Sequence, residues 1–152
     1  MSLPLVLPRE LLPSLRACAM RQDWFLSRED ENRLILLTNA AYSEENINKR
    51  VPLVIQVTDA WDVHAFPSTA WNQTAALPTG AAIYYVLDRE SVVLYVGASK
   101  HVRQRWGRHH RRSDLAAVGA TCIAWQAVWP EFLLLEALFI SYCQPQWQRQ
   151  TA

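Results

Sequence analysis

Residues 82–97 read Ala82-Ile83-Tyr84-Tyr85-Val86-Leu87-Asp88-Arg89-Glu90-Ser91-Val92-Val93-Leu94-Tyr95-Val96-Gly97. Two apolar runs flank a polar turn, the signature of a β-hairpin with strands over 82–87 and 92–96. Such a hairpin brings the phenols of Tyr84 and Tyr95 near one another. Strand alternation sends Tyr84 and Tyr85 to opposite faces, so one of that pair has a packing role. Gly97 ends the second strand, and a glycine there lets another group approach the backbone closely.

Beyond the hairpin, residues 99–112 carry six Lys/Arg and no acid. The pattern predicts a helix from about Lys100 to Arg112, with Ser99 as its N-cap. Val102 and Trp106 share a face that packs on the sheet. Arg105 and His109, four apart, lie beside that stripe. A guanidinium at such a place is suited to gripping a phosphate through paired hydrogen bonds. Lys100, Arg103, Arg108, Arg111 and Arg112 are either a solvated basic face or contacts to a phosphate backbone. Gly119 marks a turn into a third strand over 121–128. Pro130 suits the first position of a last helix, which stops before Pro145. Glu136 is the only charge between Phe132 and Ile140 in that helix. A carboxylate in so apolar a segment needs a partner. Either an arginine of the basic helix supplies it, or Glu136 binds a hard cation such as Mg²⁺ together with waters.

The 152-residue chain is half apolar and 19% charged, which excludes global disorder. Its net charge of +1 hides an uneven distribution. Residues 1–78 hold 7 Lys/Arg against 9 Asp/Glu, whereas residues 79–152 hold 8 against 5. The basic surplus accompanies the tyrosines and fits a nucleic-acid partner. Cys18, Cys122 and Cys143 form no C-x-x-C pair, which argues against a zinc ribbon or disulfide framework. No apolar run is long enough to span a membrane, and residues 1–7 lack a basic leader. The expected location is cytoplasmic.

All four glycines lie after residue 78, so residues 1–78 contain no glycine-rich phosphate loop. This part reads as an α/β extension covering one face of the core. It has a helix over 9–20, a segment at 33–37 compatible with strand or helix, and a strand over 52–57. Residues 67–78 read as a connection. Trp61, Phe66 and Trp71 are either core residues or rings on which bases stack.

With these residues in place, residues 80–148 resemble the GIY-YIG nuclease family in element order and motif spacing. Tyr84 and Tyr95 match its two tyrosines, and Arg105 its catalytic arginine. His109 matches its His-or-Tyr position, and Glu136 its metal-binding glutamate. Pro145 matches the family's proline. Ala82 replaces the first motif's glycine, and Gln148 stands where the family has asparagine.

The resemblance implies a small three-stranded antiparallel sheet flanked by helices (α+β) over 79–150, with 1–78 as the extension. It implies a metal-dependent endonuclease that hydrolyses DNA phosphodiester bonds, duplex or branched, with Mg²⁺ or Mn²⁺. Glu136 would hold the metal and Arg105 would stabilise the pentacovalent phosphate. Tyr84 would be the base, relayed through His109 as a hydrogen-bond acceptor, and Tyr95 would orient the water or phosphate. The opposite assignment of the two tyrosines remains open. Gln148 would hold a phosphate oxygen or orient a neighbour, its longer arm displacing that contact. One such site cuts one strand, so a double-strand cut calls for a homodimer or two visits. The alternatives are a degenerate nucleic-acid-binding module and a scaffold for a protein partner.

Overall fold

The computed structural model describes residues 3–30, 32–38, 52–109 and 111–151. The chain forms two compact units, which meet between Trp61 and Asp62. Residues 62–78, assigned from sequence to the N-terminal extension, therefore belong to the second unit. No helix among the described residues is long and apolar enough to cross a membrane.

In the first unit, β1 (Leu3–Pro8) is followed by a 3₁₀ turn and α1 (Leu12–Arg21). Then come β2 (Trp24–Glu29), β3 (Arg33–Thr38) and β4 (Leu53–Thr58). The strands form one mixed sheet in the order β1-β4-β3-β2, with β1 parallel to β4. One face of the sheet supplies most of the core, and in the central strand β4 Val54 is buried as well. Leu5, Leu7, Leu34, Leu36, Leu53 and Ile55 are buried, as are Leu11, Leu15, Cys18 and Ala19 of the helical stripe. The 33–37 segment, open between helix and strand in sequence, is a strand because β4 pairs with it from Arg33 to Leu36.

The second unit contains β5 (Ser68–Ala70), β6 (Ala82–Asp88), β7 (Val93–Ser99), α2 (Val102–Gly107) and α3 (Arg112–Ala117). It continues through β8 (Ala120–Ala127), a 3₁₀ segment (Pro130–Leu135), α4 (Glu136–Cys143) and α5 (Gln146–Thr151). Its sheet is fully antiparallel, in the order β5-β8-β6-β7. The three-stranded sheet expected from sequence is thus incorrect. β5 adds a fourth strand by pairing Ser68 to Ala70 with Ala124 to Cys122, and the first unit holds a second four-stranded sheet. β5 escapes sequence reading because three small residues, Ser-Thr-Ala, carry no alternating apolar signal.

β6 explains the architecture. Every residue from Ala82 to Leu87 is at most 2% exposed, so both faces of this strand are covered and the run is continuously apolar. Asp88 closes the hairpin: its carboxylate accepts the N–H groups of Glu90 and Val92 at 2.9 and 3.0 Å. Ser91 takes the left-handed position at φ 64°.

The basic helix is two short ones. α2 ends at Gly107, a poor helix former, and α3 restarts at Arg112. Ser99 lies too early to cap α2. Its hydroxyl instead accepts the His101 N–H at 3.1 Å, and α2 has no side-chain cap. The final helix is also divided, with Glu136 at the junction between the 3₁₀ segment and α4.

The unit boundary is testable by truncation. A fragment of residues 62–152 is expected to unfold cooperatively in circular dichroism. A fragment of 79–152, lacking β5 and the buried Phe66 and Leu77, is expected to lose that transition, because each large core side chain contributes about 2–5 kcal/mol.

Candidate active site

Tyr84 lies mid-strand in β6, with Gly97 of β7 opposite on one side and Trp125 of β8 on the other. Alternation puts Tyr84 and Val86 on the same face as Tyr95, Gly97, Ile123 and Trp125. Val102, Trp106 and Leu115 pack against this face. Tyr85 points to the other side. There its ring meets Phe66 and Phe139, and its hydroxyl accepts the Gln126 amide at 3.0 Å. Tyr85 is therefore the packing member of the pair, and Phe66 is a core residue.

The Tyr84 ring crosses Gly97 so closely that a Cβ there would fall under 3.0 Å from Cζ, Oη and Cε2. The glycine is required by this approach. Tyr84 is 2% exposed, whereas Tyr95 is half-buried. Their ring centroids are 6.3 Å apart. His109 stands edge-on to both, at 6.3 Å from Tyr84 and 5.3 Å from Tyr95.

His109 is buried and its Nδ1 accepts the Arg111 backbone N–H at 3.1 Å. In the neutral imidazole this assigns the proton to Nε2. The ring then enters the site as a donor, whereas a relay from Tyr84 requires an acceptor.

The Arg105 guanidinium of α2 lies beside the Tyr84 phenol and exerts its charge on Tyr84, Tyr95 and Glu136 alike. Burial raises the Tyr84 pKa well above the ordinary phenol value; the nearby Tyr95 adds to this and Arg105 opposes it. Tyr95 is also raised, first by burial and then by Glu136, against Arg111 and Arg105. Burial raises the Glu136 pKa, while the Ala98 N–H and Arg105 hold it down.

The Glu136 contact exposes the logic of placement. β7 is an edge strand, and residues two apart direct their main-chain groups to the same side. On the outer side, the Ala98 N–H faces Glu136 and favours its carboxylate form. Val96 is taken by Gln148, whose Oε1 accepts its N–H at 2.9 Å and whose Nε2 donates to its C=O at 2.7 Å. Gln148 thus pairs with the edge strand as another strand would. Of the two expected roles, holding a phosphate oxygen or orienting a neighbour, this contact is of the second kind: the amide fixes the backbone between Tyr95 and Gly97.

The five other basic residues have separate fates. Lys100 and Arg108 are exposed. Arg103 donates from Nε and Nη2 to the Leu77 carbonyl at 3.0 and 2.9 Å, holding the loop before β6. Arg111 acts on Tyr95, and the Arg112 guanidinium lies 5.5 Å from the centre of the Trp71 ring. Sequence reasoning missed Trp125 beside Tyr84; its alternation with Ile123 carries the signal.

No cluster of three or more His, Cys, Asp or Glu side chains suited to a metal occurs among the described residues. Glu136 is a lone carboxylate. Such a donor fits a hard cation that keeps most of its waters, and it does not fit zinc.

The chain matches no protein-family model and no curated protein.

Gly97→Ala is expected to destabilise the protein by about 1–3 kcal/mol in denaturant melts. Pairing it with Tyr84→Ala should recover a large part of that loss, giving a coupling energy a double-mutant cycle reads. Gln148→Ala is expected to cost about 1–3 kcal/mol for two lost hydrogen bonds. Gln148→Asn should lose most of the same contact, because the amide no longer reaches Val96.

Proposed function

We propose that the second unit is a metal-dependent endonuclease that hydrolyses DNA phosphodiester bonds. One observation carries this reading. Arg105 stands among Tyr84, Tyr95 and Glu136, with His109 against both phenols, although these groups come from five separate elements and turns. A cation, two phenols, an imidazole donor and a lone carboxylate on one face fit transfer at a phosphate better than a packing role. The resemblance to the GIY-YIG nucleases assigns the same five side chains.

Each residue has a part. Arg105 grips a non-bridging phosphate oxygen and stabilises the charge that builds on the pentacovalent phosphorus. His109 donates from Nε2 to the water or a phosphate oxygen. Tyr84, deep and beside Arg105, orients the guanidinium. Tyr95, half-buried, is the phenol that a solvent water can reach, so we assign the general base to Tyr95. Glu136 would hold Mg²⁺ or Mn²⁺, fixed by the Ala98 N–H. The metal, when bound, supplies Lewis acidity for the leaving 3′ oxygen. Exposed Lys100 and Arg108 follow the flanking phosphates. Cys18, Cys122 and Cys143 are free thiols, which supports a reducing, cytoplasmic setting.

Plasmid nicking tests the reading. The protein with Mg²⁺ is expected to convert supercoiled DNA to the open circle. Glu136→Ala and Arg105→Ala should each lower the rate by about 10²-fold or more while keeping the fold by circular dichroism. Equal inertness of wild type and both variants on duplex, branched and single-stranded DNA sinks the enzyme, and salt-sensitive binding without cleavage would then identify a binding module.

The pH profile tests the base. A phenol must be deprotonated to accept a proton, and burial raises Tyr95 above the ordinary phenol value. The rate should therefore climb with pH through 7 to 9, about tenfold per unit, without a plateau. Glu136, raised above 4.5, should contribute loss of metal binding on acidification. Tyr95→Phe should flatten the climb; an unchanged slope moves the base elsewhere.

A further inference from the structure

We propose that Trp71, with Arg112 above its ring, is a stacking platform for an unpaired nucleobase beside the cleavage site. The substrate would then present single strand next to the scissile phosphate, as a flap, fork or junction does. This rests on the nuclease reading and narrows its substrate class.

The argument begins with how Trp71 is held. Its N–H donates to the Thr121 carbonyl at 3.1 Å, and its C=O accepts the Trp106 indole N–H at 2.8 Å. Both bonds are made by the backbone, so neither needs an indole at position 71. The ring itself is only partly buried and lies under the Arg112 guanidinium at 5.5 Å. A large flat side chain is thus fixed by its main chain and left partly open beneath a cation.

Its position ties it to the chemistry. Trp106, to which it is bonded, lies 5.1 Å from His109 and 6.3 Å from Tyr84 between ring centroids. Trp71 also packs against the same core cluster as Tyr95 and Trp125. One residue therefore separates the platform from the reacting groups.

The ligand follows from the geometry of bases. Within a duplex, bases stack on each other and offer only their edges, so an indole face on the protein surface takes a base only after it leaves the helix. A base that stacks on this ring must displace the Arg112 guanidinium from it. By lifting and closing, Arg112 places a guanidinium on the far side of the base, a cation–π sandwich indifferent to base identity. Recognition would then follow DNA structure rather than sequence.

The test is fluorescence anisotropy in EDTA, where binding is read without cleavage. The probes are oligothymidylate, a blunt duplex, and a fork containing that same duplex. Wild type is expected to bind the fork more tightly than the duplex. Trp71→Ala should weaken fork and oligothymidylate binding about five- to hundredfold, as loss of one stacked base does, and leave the duplex unchanged. Trp71→Phe should restore most of the affinity, and its intrinsic fluorescence should be quenched less by oligothymidylate than that of wild type. Equal wild-type affinity for fork and duplex overturns the proposal, as does a Trp71→Ala effect that is absent or equal on all three probes. If Trp71→Ala fails to fold, the Phe variant decides, since unchanged quenching excludes stacking on residue 71. The two readings fail separately. Nicking of blunt duplex without fork preference removes the platform and leaves the nuclease, whereas fork preference without cleavage under Mg²⁺ leaves the platform and removes the nuclease.

Discussion

The crossing of the Tyr84 ring over Gly97 sets the position of everything else in the site. A phenol can lie flat on the neighbouring strand only where that strand has no side chain, and at Gly97 it does so with no room for a Cβ. The crossing holds the hydroxyl beside the Arg105 guanidinium, whose charge acts on it. It also fixes the level of β7 at which Ala98 turns its N–H outward to Glu136. Two side chains from distant segments are thus indexed to one dipeptide, Gly97-Ala98.

Burial then supplies the electrostatics. The dominant influence on Tyr84, Tyr95 and Glu136 is removal from water, which disfavours the charged form of each. Arg105 opposes it at all three. One guanidinium therefore moderates three acidic groups, and their ionisation depends on where it sits. A phosphate that draws Arg105 away would change all three environments together.

Much of this was legible in the chain, and the failures are instructive. The hairpin was readable because Ala82 to Leu87 is apolar throughout and Asp88 to Ser91 is not. Tyr84, Tyr95, Arg105, His109 and Glu136 were readable as residue types at set spacings, and the structure brings them together. β5 was hidden because pairing with β8, rather than its own Ser-Thr-Ala, makes it a strand. The break between α2 and α3 was hidden because tertiary burial of His109 competes with a basic run that reads as continuous helix. The hydrogen-bonding sense of the imidazole depends on an Arg111 N–H that only the folded turn supplies. Which of its two expected roles Gln148 takes also depends on the fold: an amide suited to a phosphate equally matches a peptide group, and the fold brings it to Val96.

The two edge strands of the second unit's sheet have a bearing on how copies of this protein can associate. One border strand has three residues. On the other, Val96 already has both main-chain groups occupied by Gln148, and the Ala98 amide faces Glu136. Strand-to-strand joining of two molecules needs a row of vacant peptide groups. β7 does not offer that row at the residues nearest the chemistry, and β5 is too short to register a partner firmly. Association of two copies is therefore expected through helices or loops rather than by joining of these sheets.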